Sequence, residues 1–237
     1  MTELPKNYKK KTIGTHHLKP ETLMMSYGYA PQFSEGAVKP PVFLTSTFVF
    51  NSAEEGEELF HIAAGRKPGP EGSMGGLVYS RFNHPNVEIV EDRLAIMEGS
   101  ESSVATSSGM GAISAVLLAY LRPGDVILHS SPLYGGTETL IRKLMPEFGI
   151  KTVSFEDGLH ETAMLKGMND AAAHGPLKMI FIETPANPTN ALVDFKALTH
   201  ALSEFEKAHG YRPVTACDNT MLGPVFQQAV PNGIDLA

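Results

Sequence analysis

The sequence predicts an α/β protein whose mainly parallel sheet is covered by helices on both faces. Two observations carry this expectation. From Leu77 onward, short apolar runs alternate with stretches of helical spacing. The runs themselves (VILH at 126–129, MIFIE at 179–183, VTACD at 214–218) are apolar on both faces, the pattern of strands buried on two sides.

The elements follow in order. The first 75 residues lack a steady period, Pro20, Pro31, Pro40 and Pro41 interrupt them, and a glycine-rich stretch, Gly65 to Gly76, follows. Only 52–64 reads as helical there, with Glu54, Glu55, Glu57 and Glu58 near its start, where carboxylates complement the helix dipole. That acidic cluster reads as a solvated helix face. Residues 1–75 are therefore expected to form an N-terminal arm against a larger body or a neighbouring subunit, and 76–237 the main domain. Pro85 suits the first position of a helix, and Val87, Val90, Leu94 and Met97 keep helical spacing until Gly99. A short strand is expected at 103–106, then a buried, almost wholly apolar helix at 109–121. Strands at 126–129, 151–155, 179–183 and 214–218 alternate with helices from 136 to about 147, 161–172 and 194–208. The closing residues, GIDLA, read as the opening of a further strand.

Composition narrows the function. The chain has 237 residues, 42% of them hydrophobic, which is enough for a substantial core. With 26 acidic against 19 basic residues, the net charge is −7, which opposes nucleic acid or an anionic membrane as the main partner. The longest nearly unbroken apolar run, 110–121, falls short of the roughly 20 residues a bilayer demands. The opening MTELPKNYKKK has no apolar stretch behind it, so no secretory signal is expected. A single cysteine, Cys217, has no internal disulfide partner, and the expected compartment is a reducing cytoplasm.

In open parallel sheets, ligands sit beyond the carboxyl ends of the strands, and four clusters fall at such places. SSGMGA (107–112) is a turn into a helix, where Ser108, Gly109 and Met110 let the backbone approach a ligand and free N–H groups suit a phosphate. It lacks a Walker lysine and dinucleotide spacing, and a tight turn without a ligand explains it equally. In SPLYGGT (131–137), Tyr134 can offer its ring face to a flat ligand or simply pack. In ETPANPT (183–189), two prolines flank Asn187, whose amide either directs a ligand or caps a structural turn. In CDNTM (217–221), Asp218 ends an apolar strand, where a carboxylate is costly unless it meets a metal, an arginine or a protonated ring nitrogen. No histidine or second acid stands nearby at metal spacing. Cys217 reads as a small buried apolar residue. Ahead of these, VYSRFNHPN (78–86) offers Arg81 for bidentate phosphate binding and the Tyr79 hydroxyl as a second donor, with a surface salt bridge as the plain alternative. His16, His17, His61 and His84 read as structural or surface groups.

Taken in this order, YSRFNHPN, SSGMGA, LYGGT, ETPANPT and DNT resemble the cystathionine γ-synthase and methionine γ-lyase family, pyridoxal-phosphate enzymes of cysteine and methionine metabolism. The likeness runs from about Pro40 to the last residue. It implies the aspartate aminotransferase-like fold of type I PLP enzymes and pyridoxal 5'-phosphate as cofactor. Asp218 would pair with the protonated pyridine nitrogen, and Tyr134 would stack over the ring and carry a proton. The backbone of Gly109 and Met110, with Ser108 beside them, would hold the phosphate. Asn187 would bond the ring oxygen, and Thr220 would line the site next to Asp218. Tyr79 and Arg81 would reach the phosphate of a neighbouring subunit, in a homotetramer built as a dimer of dimers.

The implied reaction is γ-replacement or γ-elimination on a homoserine ester, cystathionine or methionine. Alternatives are β-elimination of the cystathionine β-lyase type, or a non-catalytic truncated subunit. A nicotinamide oxidoreductase is disfavoured, because SSGMGA lacks the spacing of the glycine fingerprint. Three departures stand out. The family's cofactor-bearing lysine is expected downstream of GIDLA, together with a further phosphate contact and a C-terminal domain carrying the arginine for the substrate carboxylate. The expected reading is a partial sequence. Gly136 stands where methionine γ-lyases carry cysteine. Met221 replaces an aromatic residue, and the stretch Gly65 to Gly76 lengthens the approach to the arginine motif.

Overall fold

The computed structural model describes residues 9–69 and 75–237, so the N-terminal tip and residues 70–74 of the glycine-rich stretch lie outside the described residues. The chain divides into two compact units. One comprises the residues up to Ile96 with Glu101–Ala105; the other comprises Met97–Ser100 and Thr106–Ala237.

The first unit is irregular. Two short strands, β1 (Thr12–Ile13) and β2 (His16–His17), pair antiparallel, and the one-turn helix α1 (Pro20–Leu23) follows. Helix α2 (Ala53–Ala63) begins where the acidic cluster indicated. The Ser52 hydroxyl accepts the Glu55 N–H (3.1 Å), and the Glu55 carboxylate reaches back to the Asn51 N–H, so two otherwise orphaned donors are satisfied. Glu54, Glu57 and Glu58 are exposed, a solvated face. Helix α3 (Pro85–Glu98) starts at the proline as expected. Its NHPN lead-in is a latch: Asn86 accepts the Phe43 N–H (2.9 Å) and donates to the Pro41 carbonyl (2.8 Å), while a ring nitrogen of His84 lies 3.1 Å from the Phe43 carbonyl. These bonds hold residues 41–43, yet Val42, Leu44 and Val49 stay exposed, the last two at 94% and 97%. The strand expected at 103–106 is absent. Its backbone takes a partner from a side chain rather than a ladder, since the Ala105 N–H donates to Glu91 Oε1 (2.7 Å).

The second unit is a parallel sheet. Helix α4 (Gly109–Tyr120) leads into β3 (Val126–Ser130), followed by α5 (Gly135–Thr139), a wide π turn at Leu140–Leu144 and α6 (Met145–Glu147). The wide turn sits just ahead of Pro146, which has no N–H to give the Arg142 carbonyl. Then come β4 (Lys151–Phe155), α7 (Glu161–Ala172), β5 (Leu177–Glu183), α8 (Phe195–His209), β6 (Val214–Asp218) and the short α9 (Gly223–Phe226). Asp194 caps α8 by accepting the Lys196 and Ala197 N–H groups (2.8 and 3.1 Å), and Gly210 ends it at φ +77°, a conformation suited to glycine.

The strand order is β4-β3-β5-β6, all parallel. The chain moves one way from β3 to β4, then returns past β3 to β5 and β6. Right-handed crossovers in opposite directions place their helices on opposite faces. The two cores obey this rule. Val126, Leu128, Ile180, Ile182 and Cys217 pack with α7 and α8 on one face, whereas Ile127, Met179, Phe181 and Ala216 pack with α4 to α6 on the other. Each fully buried large apolar side chain contributes roughly 1.5–3 kcal/mol. The expectation of a buried helix at 109–121 holds along one edge only. Leu117 and Leu121 are buried, but Leu118 and Tyr120 are exposed, because the sheet covers a single side of α4. GIDLA extends the sheet as anticipated: Leu236 bridges Ala216 in parallel, and the Cys217 N–H donates to the Leu236 carbonyl (2.9 Å).

Candidate active site

The chain reverses direction between β3 and β5, and at the carboxyl ends of these strands the sheet's topology favours a ligand site. The loops after β3, β5 and β6 and the N-terminus of α4 supply its residues. Three X–Pro bonds in these loops are cis, at Pro132, Pro185 and Pro188.

Ser108 is the N-cap of α4, and its hydroxyl accepts the Gly111 N–H (3.0 Å). That leaves the N–H groups of Gly109 and Met110 without an acceptor among the described residues, on a helix long enough for its dipole to favour an anion. Met110 approaches the loop after β3, where its sulfur lies 3.8 Å from the Thr137 hydroxyl. Tyr134 is the residue before α5, and its ring is half exposed, at 44%. A Cβ on Gly136 would stand 2.7 Å from Tyr134 Cε1 and 3.1 Å from the Met110 sulfur, so glycine here gives the ring its room.

Asp218 ends β6 half-buried. Its Oδ1 accepts both the Thr220 hydroxyl (2.6 Å) and the Thr220 N–H (3.1 Å). Its Oδ2 has no donor among the described residues and remains available to a cation. Asn187 is exposed, so its side-chain amide is open to a ligand.

The residue that joins these loops was quoted in the sequence motif without being nominated. Glu183 ends β5 with 4% of its surface exposed. One carboxylate oxygen accepts the Tyr134 N–H (2.5 Å) and the other the Asn187 N–H (2.8 Å). Its own N–H donates to the Ser130 hydroxyl (3.1 Å). Burial pushes its carboxyl above the ordinary range and the negative charge of Asp218 adds to this, while the two N–H donors pull the other way. Glu183 and Asp218 are register partners on neighbouring strands, and both extend the alternation that faces α4 and α5. Like Asp218, Glu183 is an acid closing an apolar strand, where a carboxylate is costly unless it is partnered. A second clamp joins the β5 and β6 loops. Gln227 donates to the Thr184 carbonyl and to Asn219 Oδ1 (both 2.8 Å), and Asn219 donates back to the Gln227 carbonyl (2.7 Å).

Tyr79 and Arg81 belong to the first unit. The Tyr79 carbonyl accepts the N–H groups of Phe82 and Asn83 in a tight turn, and the Arg81 guanidinium lies 4.6 Å from the centre of the Phe82 ring. Arg81 has no carboxylate partner among the described residues, in contrast to the salt-bridge alternative. Cys217 is buried, and burial first, then the charges of Asp218, Glu98 and Glu183, drive its thiol far above the ordinary range. No group of three or more metal-ligating side chains occurs among the described residues.

The first turn of α4 thus offers unpaired N–H groups to an anion, and Asp218 offers an unpaired carboxylate oxygen to a cation, features that suit a ligand carrying both. Comparisons with known proteins identify the family. L-methionine γ-lyase of Pseudomonas deceptionensis is 37% identical over 217 residues, covering 91% of this chain and 49% of that protein. O-succinylhomoserine sulfhydrylase of Pseudomonas aeruginosa is 36% identical over 202 residues, 85% and 45% of the two chains. MetB of Corynebacterium glutamicum superposes with a TM-score of 0.73 at 26% identity, over 92% of this chain and 49% of that one. A Campylobacter jejuni structure carrying N'-pyridoxyl-lysine-5'-monophosphate shares the fold at a TM-score of 0.74 and 24% identity, over 92% and 48%. The chain spans about half the length of the curated relatives it matches. The model of the Cys/Met metabolism PLP-dependent enzymes matches residues 21–237, and the chain belongs to that family, whose cofactor is pyridoxal phosphate.

Proposed function

We propose that the protein of which this chain is part catalyses γ-replacement or γ-elimination on a homoserine-derived or sulfur-containing amino acid. The observation that carries this reading is the pairing of an available carboxylate, Asp218, with unpartnered first-turn amides on α4. When bound, the cofactor supplies an electron sink for the substrate's α- and β-carbons. Asp218 keeps the ring nitrogen protonated, with Thr220 fixing the carboxylate's orientation. Gly109, Met110 and Ser108 bind the phosphate. Tyr134 covers the ring face, and its phenol moves a proton at the substrate amine or the leaving group. Asn187 directs the ring oxygen.

Gly136, in the place of the methionine γ-lyase cysteine, weakens methionine elimination, while the relatives include both methionine γ-lyases and sulfhydrylases. Tyr79 and Arg81 complete a neighbouring subunit's phosphate site in a homotetramer, with residues 1–75 as the arm. The exposed Val42, Leu44 and Val49 support that arm role. The lone buried cysteine suits a cytoplasmic setting. The full-length polypeptide, offered O-acetylhomoserine or O-succinylhomoserine together with sulfide or cysteine, or cystathionine or methionine alone, should yield homocysteine, a thioether or 2-ketobutyrate from at least one. Pyruvate as the sole keto acid would replace the reading with β-elimination, and no turnover of any would reject it.

A further inference from the structure

We propose that Glu183 is a positioning residue of the cofactor site, whose carboxylate ties together the loop bearing Tyr134 and the loop bearing Asn187. This inference rests on the function proposed above. Tyr134 and Asn187 lie 53 residues apart in sequence, on loops that follow different strands, and each would meet the cofactor from its own loop. Among the described residues, Glu183 is the group that bonds the backbone of both: the Tyr134 N–H at 2.5 Å and the Asn187 N–H at 2.8 Å, one on each carboxylate oxygen.

Burial makes that bridge exclusive. At 4% exposure, no water readily replaces either donor's partner. The backbone of Glu183 is itself fixed, by its ladder pairing to β6 and by the Ser130 hydroxyl. The carboxylate is thus referenced to the sheet, and both loops are referenced to it. Both N–H groups demand acceptors, and a carboxylate offers two. A glutamine amide has one acceptor oxygen, and its NH2 would confront an N–H, donor against donor. Glu183→Gln therefore frees one loop while changing little volume.

The test uses full-length protein, with hydrogen exchange read by peptide and cofactor binding read by visible absorbance and induced circular dichroism. In Glu183→Gln, the peptide spanning 131–137 or the one spanning 184–190 should exchange at least tenfold faster, while the β5 core, 177–182, stays protected. The half-saturating pyridoxal phosphate concentration should rise about tenfold, the loss of one charge-assisted hydrogen bond. In a Tyr134→Ala/Asn187→Ala background the same substitution should cost less than threefold, because the groups it positions are gone. An equal loss in both backgrounds, or unchanged loop exchange, would overturn the proposal. If Glu183→Gln fails to fold, Glu183→Asp, one methylene too short to span both donors, carries the same expectations. Loop exchange measured without cofactor tests the positioning role alone, whereas failure of the unmodified protein to bind the cofactor would sink the functional reading instead.

Discussion

The tract that follows β6 offers a quantitative test of how the sheet continues. Asp235 Oδ2 accepts the Thr215 N–H (2.8 Å), the Thr215 hydroxyl (2.8 Å) and an Arg212 guanidinium N–H (2.8 Å), and Oδ1 accepts Arg212 again at 2.9 Å. Thr215 is fully buried, so Asp235→Ala leaves its N–H and its hydroxyl hydrogen without an acceptor, although the hydroxyl oxygen still accepts the N–H of residue 235 (3.0 Å). An orphaned buried donor costs about 1–3 kcal/mol. The Arg212 pair is one-third exposed and contributes at most about 1 kcal/mol. Two such donors and the ion pair together give an expected loss of about 2–7 kcal/mol, read as a lowered urea midpoint at unchanged slope.

The effect also has a pH signature. Burial raises the Asp235 carboxyl, but the Thr215 and Arg212 hydrogen bonds outweigh it and hold the group below its ordinary range. A depressed carboxyl contributes stability that is present above the ordinary carboxylate range and is lost as pH falls through the folded value. The gap between the native chain and Asp235→Ala should therefore be largest near pH 6 and shrink below about pH 4. A gap under about 0.5 kcal/mol, or one that widens on acidification, would refute the reasoning.

Three further outcomes follow from the same geometry. Cys217, with its thiol pushed far up by burial, should resist a thiol reagent at pH 8 in the folded chain and react fully in urea; rapid labelling of folded protein would contradict its placement. Gly136→Cys should displace the Tyr134 ring, since the new Cβ would stand 2.7 Å from Cε1; the ring is half exposed and free to swing, so a crystal structure of the variant should show it moved at little cost in stability. Tyr134→Phe in the full-length enzyme should lower kcat by about 10²-fold or more while cofactor affinity changes little, because the ring stays and only the proton-moving hydroxyl is lost; undiminished turnover would remove that role.

The strands and most helices were legible because burial on two faces leaves uninterrupted apolar runs and the caps are local. The helix expected at 194–208 lies at Phe195–His209, one residue off at each end, with Asp194 as its cap and Gly210 just after it. The strand expected at 103–106 fails for the opposite reason: its partner is the Glu91 carboxylate, and no local pattern distinguishes that from a ladder. The wide turn at 140–144 was marked only by Pro146. Asp218, Tyr134 and the α4 turn stand out by residue type, yet each has a plain structural reading beside it, and only the five motifs taken in order point to a cofactor. Glu183 and the Asn219–Gln227 clamp act through backbone groups of residues distant in sequence, a role visible only once the strands are set side by side.

In the proposed function, the carboxylate at the end of β6 meets a cationic ring whose phosphate sits on α4. Titrating full-length apoprotein with pyridoxal phosphate, unmodified and as Asp218→Ala, tests this most directly. The unmodified protein should saturate with a visible absorption band, and the variant should require at least tenfold more cofactor. Equal affinity in the two proteins, or no visible band in either, would contradict the account.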